Sequence, residues 1–280
     1  MKSIVSVSTL LIAAGATAGE VMEFEKTPYG LLFADIEVAG EPIRAMIDFG
    51  DPHVLSLSGT FVDAQGLTAE PTGETMMYAD GTTFERLEGT VESARIGGQQ
   101  LESVSFGSAE GEIESVAEQV GTPFDAVVGW GFFGSRPFML DYAAGRFEFG
   151  FEACPTGAVA TARRKPGQSY LIVDGRIGSE AMSFLIDTGH PISVIEQTAI
   201  DPDQGPAVTI EHVAGKVDGL ELILDIGEWQ RAIPFQPSDL VVLQPLGVQA
   251  ILGQPFLESL SLCHHHRSGE VFFYETAGDI

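Results

Sequence analysis

Short runs of alternating or largely apolar residues recur along this chain, and most are too brief to be helices. The runs at 31–38 (LLFADIEV), 43–47, 90–96, 101–106 and 146–151 read as strands. Ala39-Gly40 and Gly97-Gly98 fall between such runs, where a hairpin needs backbone angles that glycine adopts freely. Helical periodicity is weak, with short helices expected only near Phe132-Phe133 and across 256–260. The pattern predicts an all-β chain, and its 33 Gly and 15 Pro supply the turns such a chain needs.

The pattern also repeats. Residues 30–57 align without a gap on 169–196, and 126–149 align without a gap on 250–273. In the first block Ile47-Asp48-x-Gly50-x-Pro52 matches Ile186-Asp187-x-Gly189-x-Pro191. In the second, Ala126, Gly129, Phe132 and Phe149 match Ala250, Gly253, Phe256 and Phe273. The chain is therefore read as two copies of one module, with lobes at 19–151 and 169–280. Residues 152–168, with Pro, Gly, small residues and the basic cluster Arg163-Arg164-Lys165, read as a linker.

Residues 1–18 read as a signal peptide: Lys2, an apolar stretch from Ile4 to Ala14, and Ala16-Thr17-Ala18 as a small-x-small cleavage site. This predicts an exported protein, periplasmic or extracellular. About ten residues then precede the first strand, so no long pro-segment is expected. The apolar stretch is too short to span a bilayer, and no other stretch qualifies. A net charge of -26 argues against nucleic acid and anionic membranes as partners. Two cysteines, Cys154 and Cys263, either form one bridge or remain free thiols.

Each copy sets an Asp directly after an apolar strand, with Gly two residues on. A rigid strand followed by a sharp turn holds a carboxylate at the tip of a tight loop. Two such loops related by a pseudo-two-fold axis bring Asp48 and Asp187 together. Neighbouring carboxylates share one proton. The ionised member can activate water, and the protonated one can polarise a carbonyl and then protonate a leaving nitrogen. No metal, cofactor or covalent intermediate is needed. One Asp-x-Gly is a common turn, whereas two in register within a repeat are a strong signal.

These residues resemble the pepsin-like aspartic peptidases, and each half resembles a retropepsin protomer. Ile186-Asp187-Thr188-Gly189 is similar to the family's hydrophobic-Asp-Thr-Gly signature. Phe124-Asp125-Ala126-Val127-Val128-Gly129 and Ala250-Ile251-Leu252-Gly253 resemble the strands that pass beneath the active loops. Met77-Tyr78-Ala79-Asp80-Gly81-Thr82 resembles the flap that closes over a substrate, whereas the second copy has Glu211-His212-Val213-Ala214-Gly215 there. The resemblance covers nearly the whole chain after residue 18. It implies two pseudo-symmetric acid-protease lobes around a central cleft, and a monomer with both catalytic aspartates in one chain. It also implies an endopeptidase acting on extended peptide or protein substrates. Asp48 and Asp187 would be catalytic. Tyr78, Gly81 and Thr82 would form the flap, and Gly50, Gly189 and Thr188 would shape the loops.

The first loop departs from that pattern as Asp48-Phe49-Gly50. In the family the two loop threonines bond across the dyad, so Phe49 is expected to leave Thr188 without a partner. Asp51 and His190 occupy positions usually small or hydroxylated, and a polar pair between them near the dyad is one expectation. The alternatives are a catalytically impaired peptide- or protein-binding module, or a closed cleft with Phe49 or Trp130 over the dyad. His264-His265-His266 lie on a strand end, where alternate residues face opposite ways, so no metal site is expected. Trp130 is expected in the core or at the cleft rim. Asp35 and Asp174, shared by the repeats, are expected to be structural.

Overall fold

The computed structural model describes residues 20–77, 83–212 and 215–275. It is predominantly β and folds as two closed six-stranded barrels joined by a third sheet. The first barrel is a ring of Leu32–Val38, Glu41–Asp48, Ala126–Gly129, Leu55–Leu57, Gln99–Ser108 and Thr83–Ile96. The second is a ring of Ile172–Ile177, Glu180–Ile186, Ala250–Leu252, Ser193–Glu196, Trp229–Ser238 and Gly215–Ile226.

The alternation in the sequence becomes alternation in burial. Along 32–38, Leu32, Ala34, Ile36 and Val38 are buried, whereas Asp35 faces solvent. The turn that follows places Ala39 and Gly40 at φ +53° and +84°, the paired positive angles of a tight hairpin. Closing each sheet on itself leaves fewer open edges and encloses an apolar interior.

The repeat reappears residue by residue in the ladders. Ala45, Met46 and Ile47 run parallel to Ala126, Val127 and Val128. Phe184, Leu185 and Ile186 pair in the same way with Ala250, Ile251 and Leu252. The copies differ in their long hairpins. In the first, strands of 9 and 14 residues (Ala69–Met77 and Thr83–Ile96) project. In the second they have 6 and 12 residues (Ala207–His212 and Gly215–Ile226). The first copy also carries helix Glu112–Val120, where weak helical patterning led us to expect none.

The third sheet takes strands from both halves, in the order Val21–Glu23, Arg146–Phe149, Phe138–Asp141, Leu260–His265, Glu270–Glu275 and Ala160–Arg163. Residues 152–168 are thus more ordered than a plain linker. They contribute strand Ala160–Arg163, paired along Glu270–Phe273, and Cys154, which is bridged to Cys263. Sequence periodicity gave no sign of this strand because its pairing partner lies over a hundred residues away. Phe132, Phe133, Phe138 and Phe147 pack edge-on or tilted against one another, and Phe149 stacks on Phe133 and Phe147. Short helices Trp130–Phe133 and Gln254–Leu257 cap the equivalent strands of the two barrels. No helix among the described residues is long and apolar enough to cross a membrane.

Candidate active site

Both loops are built the same way. Asp48 ends the strand Glu41–Asp48 level with Gly129, and Asp187 follows Glu180–Ile186 with its N–H donating to the Leu252 carbonyl. Within each loop the N–H two residues on donates to the carboxylate: Gly50 to Asp48 Oδ1 at 2.7 Å and Gly189 to Asp187 Oδ1 at 2.8 Å. The chain then turns back over the strand beneath. Trp130 N donates to Asp51 O, and at the equivalent position Gln254 N donates to His190 O. Gly129 and Gly253 make this crossing possible. A Cβ on Gly129 would lie 2.5 Å from the Asp51 and His53 carbonyl oxygens, and one on Gly253 would lie 2.2 Å from Ile192 O.

The two loops meet. A Cβ on Gly189 would lie 2.3 Å from Cγ of Asp48, and one on Gly50 would lie 2.7 Å from Oδ2 of Asp187. Each loop glycine therefore leaves the space that the other loop's carboxylate occupies. Asp187 is 8 % exposed and Asp48 is partly buried. Burial, then the charge of Asp187 and its hydrogen bond, hold the Asp48 carboxyl well above the usual carboxylate range, and Asp51 adds to this. The N–H of Gly50 opposes the shift only in part. A pair arranged like this carries one proton across a wide pH range.

Phe49 and Thr188 do not behave as the sequence led us to expect. Thr188 is not left unpaired. Its Oγ1 accepts from Phe49 N at 3.0 Å and donates to the Ile47 carbonyl at 2.8 Å. The partners are backbone groups of the opposite loop, the N–H of residue 49 and the carbonyl of residue 47, so the clamp needs no hydroxyl at position 49. The Phe49 side chain turns away from the dyad into the core, against Trp130, Phe133, Phe138 and Phe147 at 5.0–6.1 Å between ring centroids. Neither Phe49 nor Trp130 lines the cavity over the dyad, so neither fills it. Trp130, 3 % exposed, is a core residue.

The expected Asp51–His190 pair is also absent, because nearer partners take both side chains. Asp51 accepts from His53 N at 2.8 Å, from the His53 ring at 2.7 Å and from Ser56 Oγ at 2.6 Å. The His190 ring donates from Nδ1 to its own turn, at the Ile192 carbonyl. Arg86, on the projecting hairpin, extends the first network. Its guanidinium donates to His53 Nε2 at 2.7 Å and binds Glu74 and Glu88. Arginine has no acceptor, so Nε2 must accept and Nδ1 must carry the proton given to Asp51. The hairpin is thereby tied through a neutral imidazole to the loop bearing Asp48.

Asp48 and Asp187 open into a cavity of about 480 Å³. Met46, Ile113, Val116, Phe124 and Val127 line it from the first lobe, and Leu185, Leu243, Leu246 and Ile251 from the second. Its polar wall includes Asp51, His53, Ser56, Arg86, Glu112 and Tyr170. Burial, and then the nearby Asp51, raise the Tyr170 hydroxyl above its ordinary value. The arms of the projecting hairpin pair as far as Met77 opposite Thr83. Tyr78, Gly81 and Thr82, expected to form the flap tip, lie outside the described residues.

Sequence reasoning missed His53, Ser56, Arg86, Glu112 and Tyr170. A signal for three of them was present: in the repeat His53 and Ser56 fall on Ile192 and Ile195, and Tyr170 falls on Leu31, each a polar group where the other copy is apolar. Arg86 and Glu112 lie outside the two gapless blocks and offered no such contrast. Asp174 is bound to Lys165 and Ser183 on the outer face, away from the cavity. Among the described residues, no group of three or more His, Cys, Asp or Glu is placed to hold a metal ion. Compared with known proteins, the chain matches no family model and no curated protein.

Proposed function

We propose that this protein is an exported, single-chain aspartic endopeptidase of the pepsin-like type, acting as a monomer on extended peptide or protein substrates. One observation carries the reading: two carboxylates, each at the tip of the same turn in a duplicated barrel, lie so close that each loop's glycine makes room for the other's aspartate. A structural role for such a pair is hard to sustain, because burying two like charges side by side costs stability.

In this reading the pair holds one proton, drawn on Asp48, whose carboxyl is raised by burial and by its neighbour. Asp187 takes a proton from the attacking water as its oxygen bonds to the scissile carbonyl carbon. Asp48 donates to the carbonyl oxygen. When the carbon–nitrogen bond breaks, Asp187 gives its proton to the leaving amine, and the diol hydroxyl returns one to Asp48 as the new carboxyl forms, so the pair ends with the single proton it began with. The Thr188 clamp on the backbone of residues 47 and 49 keeps the loops at fixed separation. The substrate would run along the cavity as an added strand, with apolar residues of both lobes as side-chain pockets. Export is supported by the signal-like residues 1–18 and by the Cys154–Cys263 bridge, which suits an oxidising compartment.

The test is hydrolysis of a mixed peptide library between about pH 3 and pH 7, comparing wild type with Asp187→Asn and with pepstatin present. Cleavage that pepstatin blocks and Asp187→Asn abolishes is the expected result. Well-folded wild type that cuts nothing across that range refutes the peptidase reading and leaves a peptide-binding module.

A further inference from the structure

The cavity is unbalanced in charge. Among the described residues it is lined by four carboxylates, Asp48, Asp51, Glu112 and Asp187, against one guanidinium, Arg86. Arg86 is already bound to Glu74, Glu88 and His53. Asp51 is bound to His53 and Ser56, and each aspartate of the dyad takes its own loop's N–H. Glu112 bonds through its backbone N–H to the Ala109 carbonyl, but its carboxylate has no hydrogen-bond or ion partner among the described residues.

Glu112 opens helix Glu112–Val120, whose Ile113 packs with Phe124, Val127 and Met46 in one apolar cluster. These same residues, with Val116, wall the cavity on that side. The result is an apolar slot with a single unmatched carboxylate, opening onto the dyad. Burial first, then the charge of Asp51 and, less, that of Glu114, push the Glu112 carboxyl up to about 7. Such a carboxyl lacks a cation.

We infer that the first-lobe end of the cavity is a subsite for a lysine or arginine side chain of the bound peptide, selected by Glu112. The fit is chemical. The methylene stem of either residue lies along apolar surface while its charged head meets the carboxylate. An uncharged chain of the same length fills the slot but leaves Glu112 dehydrated and unpaired, which costs more than the bond is worth. An acidic side chain is repelled. The inference rests on the peptidase reading for how a peptide enters the cavity, but its test does not depend on catalysis.

Binding of short blocked peptides to the Asp187→Asn protein is measured calorimetrically at about pH 8, where the Glu112 carboxyl is ionised. The peptides differ at one position, moved along the sequence, that holds Lys, Arg, norleucine or Glu. At one position Lys and Arg should bind about tenfold or more tighter than norleucine. Glu112→Gln should bring Lys and Arg within about twofold of norleucine while the circular dichroism spectrum is kept. Glu112→Lys should turn the preference toward Glu. Equal binding of Lys and norleucine at every position, a preference that survives Glu112→Gln, or no binding of any peptide overturns the inference. A Lys preference without any hydrolysis by wild type overturns only the peptidase reading. Hydrolysis without the preference overturns only the subsite.

Discussion

Replacing Phe49 with threonine gives the first loop the Asp-Thr-Gly of the second, and the structure indicates that this apparent repair does harm. Phe49 is fully buried, with four aromatic rings around it at 5.0–6.1 Å. Truncating a buried Phe costs about 3–5 kcal/mol, most of it from the cavity left behind. Threonine refills part of the volume but brings a hydroxyl among rings that offer no acceptor, at a further cost of about 1–3 kcal/mol if it stays unpaired. A net loss of about 4 kcal/mol follows, a large share of the stability of an ordinary domain. Equilibrium unfolding in urea measures it, and Trp130 fluorescence reports from the site itself because its ring touches Phe49. Phe49→Leu is the control, keeping an apolar chain and losing much less. Thr188→Val is the complement: it removes the acceptor of Phe49 N and the donor to Ile47 O, and should impair the dyad more than Phe49→Leu does. If Phe49→Thr unfolds within about 1 kcal/mol of wild type, the ring is not the core element described and the reasoning fails.

His264 gives the fold a weakness in acid. It is fully buried against Trp130 and Phe138, and burial holds its imidazole down to about 4 from an ordinary 6.5. Unfolding releases it to take a proton, so wild type should lose about 3 kcal/mol as the pH falls from about 6.5 to 4 and no more from this source below that. Unfolding measured against pH should show His264→Phe gaining on wild type across that window, and parallel curves would remove the assignment. On the proposed peptidase reading, Gly189→Ala should leave the circular dichroism spectrum in place and cut peptide hydrolysis by about 100-fold or more, because its methyl would fall within the Asp48 carboxylate; full activity would mean that the loops are not held at the separation described.

Much of this was legible along the chain because the repeat survives without gaps where the strands run parallel. The two blocks that align by eye are the segments whose ladders match: Ala45 with Ala126, and Phe184 with Ala250. Helix Glu112–Val120 was not foreseen: Ile113, Val116, Ala117 and Val120 do fall at helical spacing, but nine residues give little signal. The direction of Phe49 was not readable. It is set at a sharp turn, where strand alternation no longer fixes which way a side chain points. Nor was the Asp51–His53–Arg86 chain, which unites a loop and a hairpin arm through tertiary geometry alone. Strand Ala160–Arg163 was hidden for the same reason, since its short polar sequence becomes a strand only beside Glu270–Glu275.

The sheet between the barrels makes the last stretch of the chain a condition for the first half. Phe138–Asp141 has Arg146–Phe149 on one side and Leu260–His265 on the other. A chain interrupted before residue 260 leaves that strand with an open edge bearing Phe138 and Leu140, and such an edge recruits other chains. The first barrel is therefore not a free-standing unit, however complete its own ring. Its two hairpins, Leu32–Val38 with Glu41–Asp48 and Thr83–Ile96 with Gln99–Ser108, are local and can form early, but the rest of the ring is closed by long-range pairings, and the protection of its underside waits for the C-terminal strands. Synthesis or proteolysis that stops short is expected to yield aggregation-prone material rather than a smaller folded lobe.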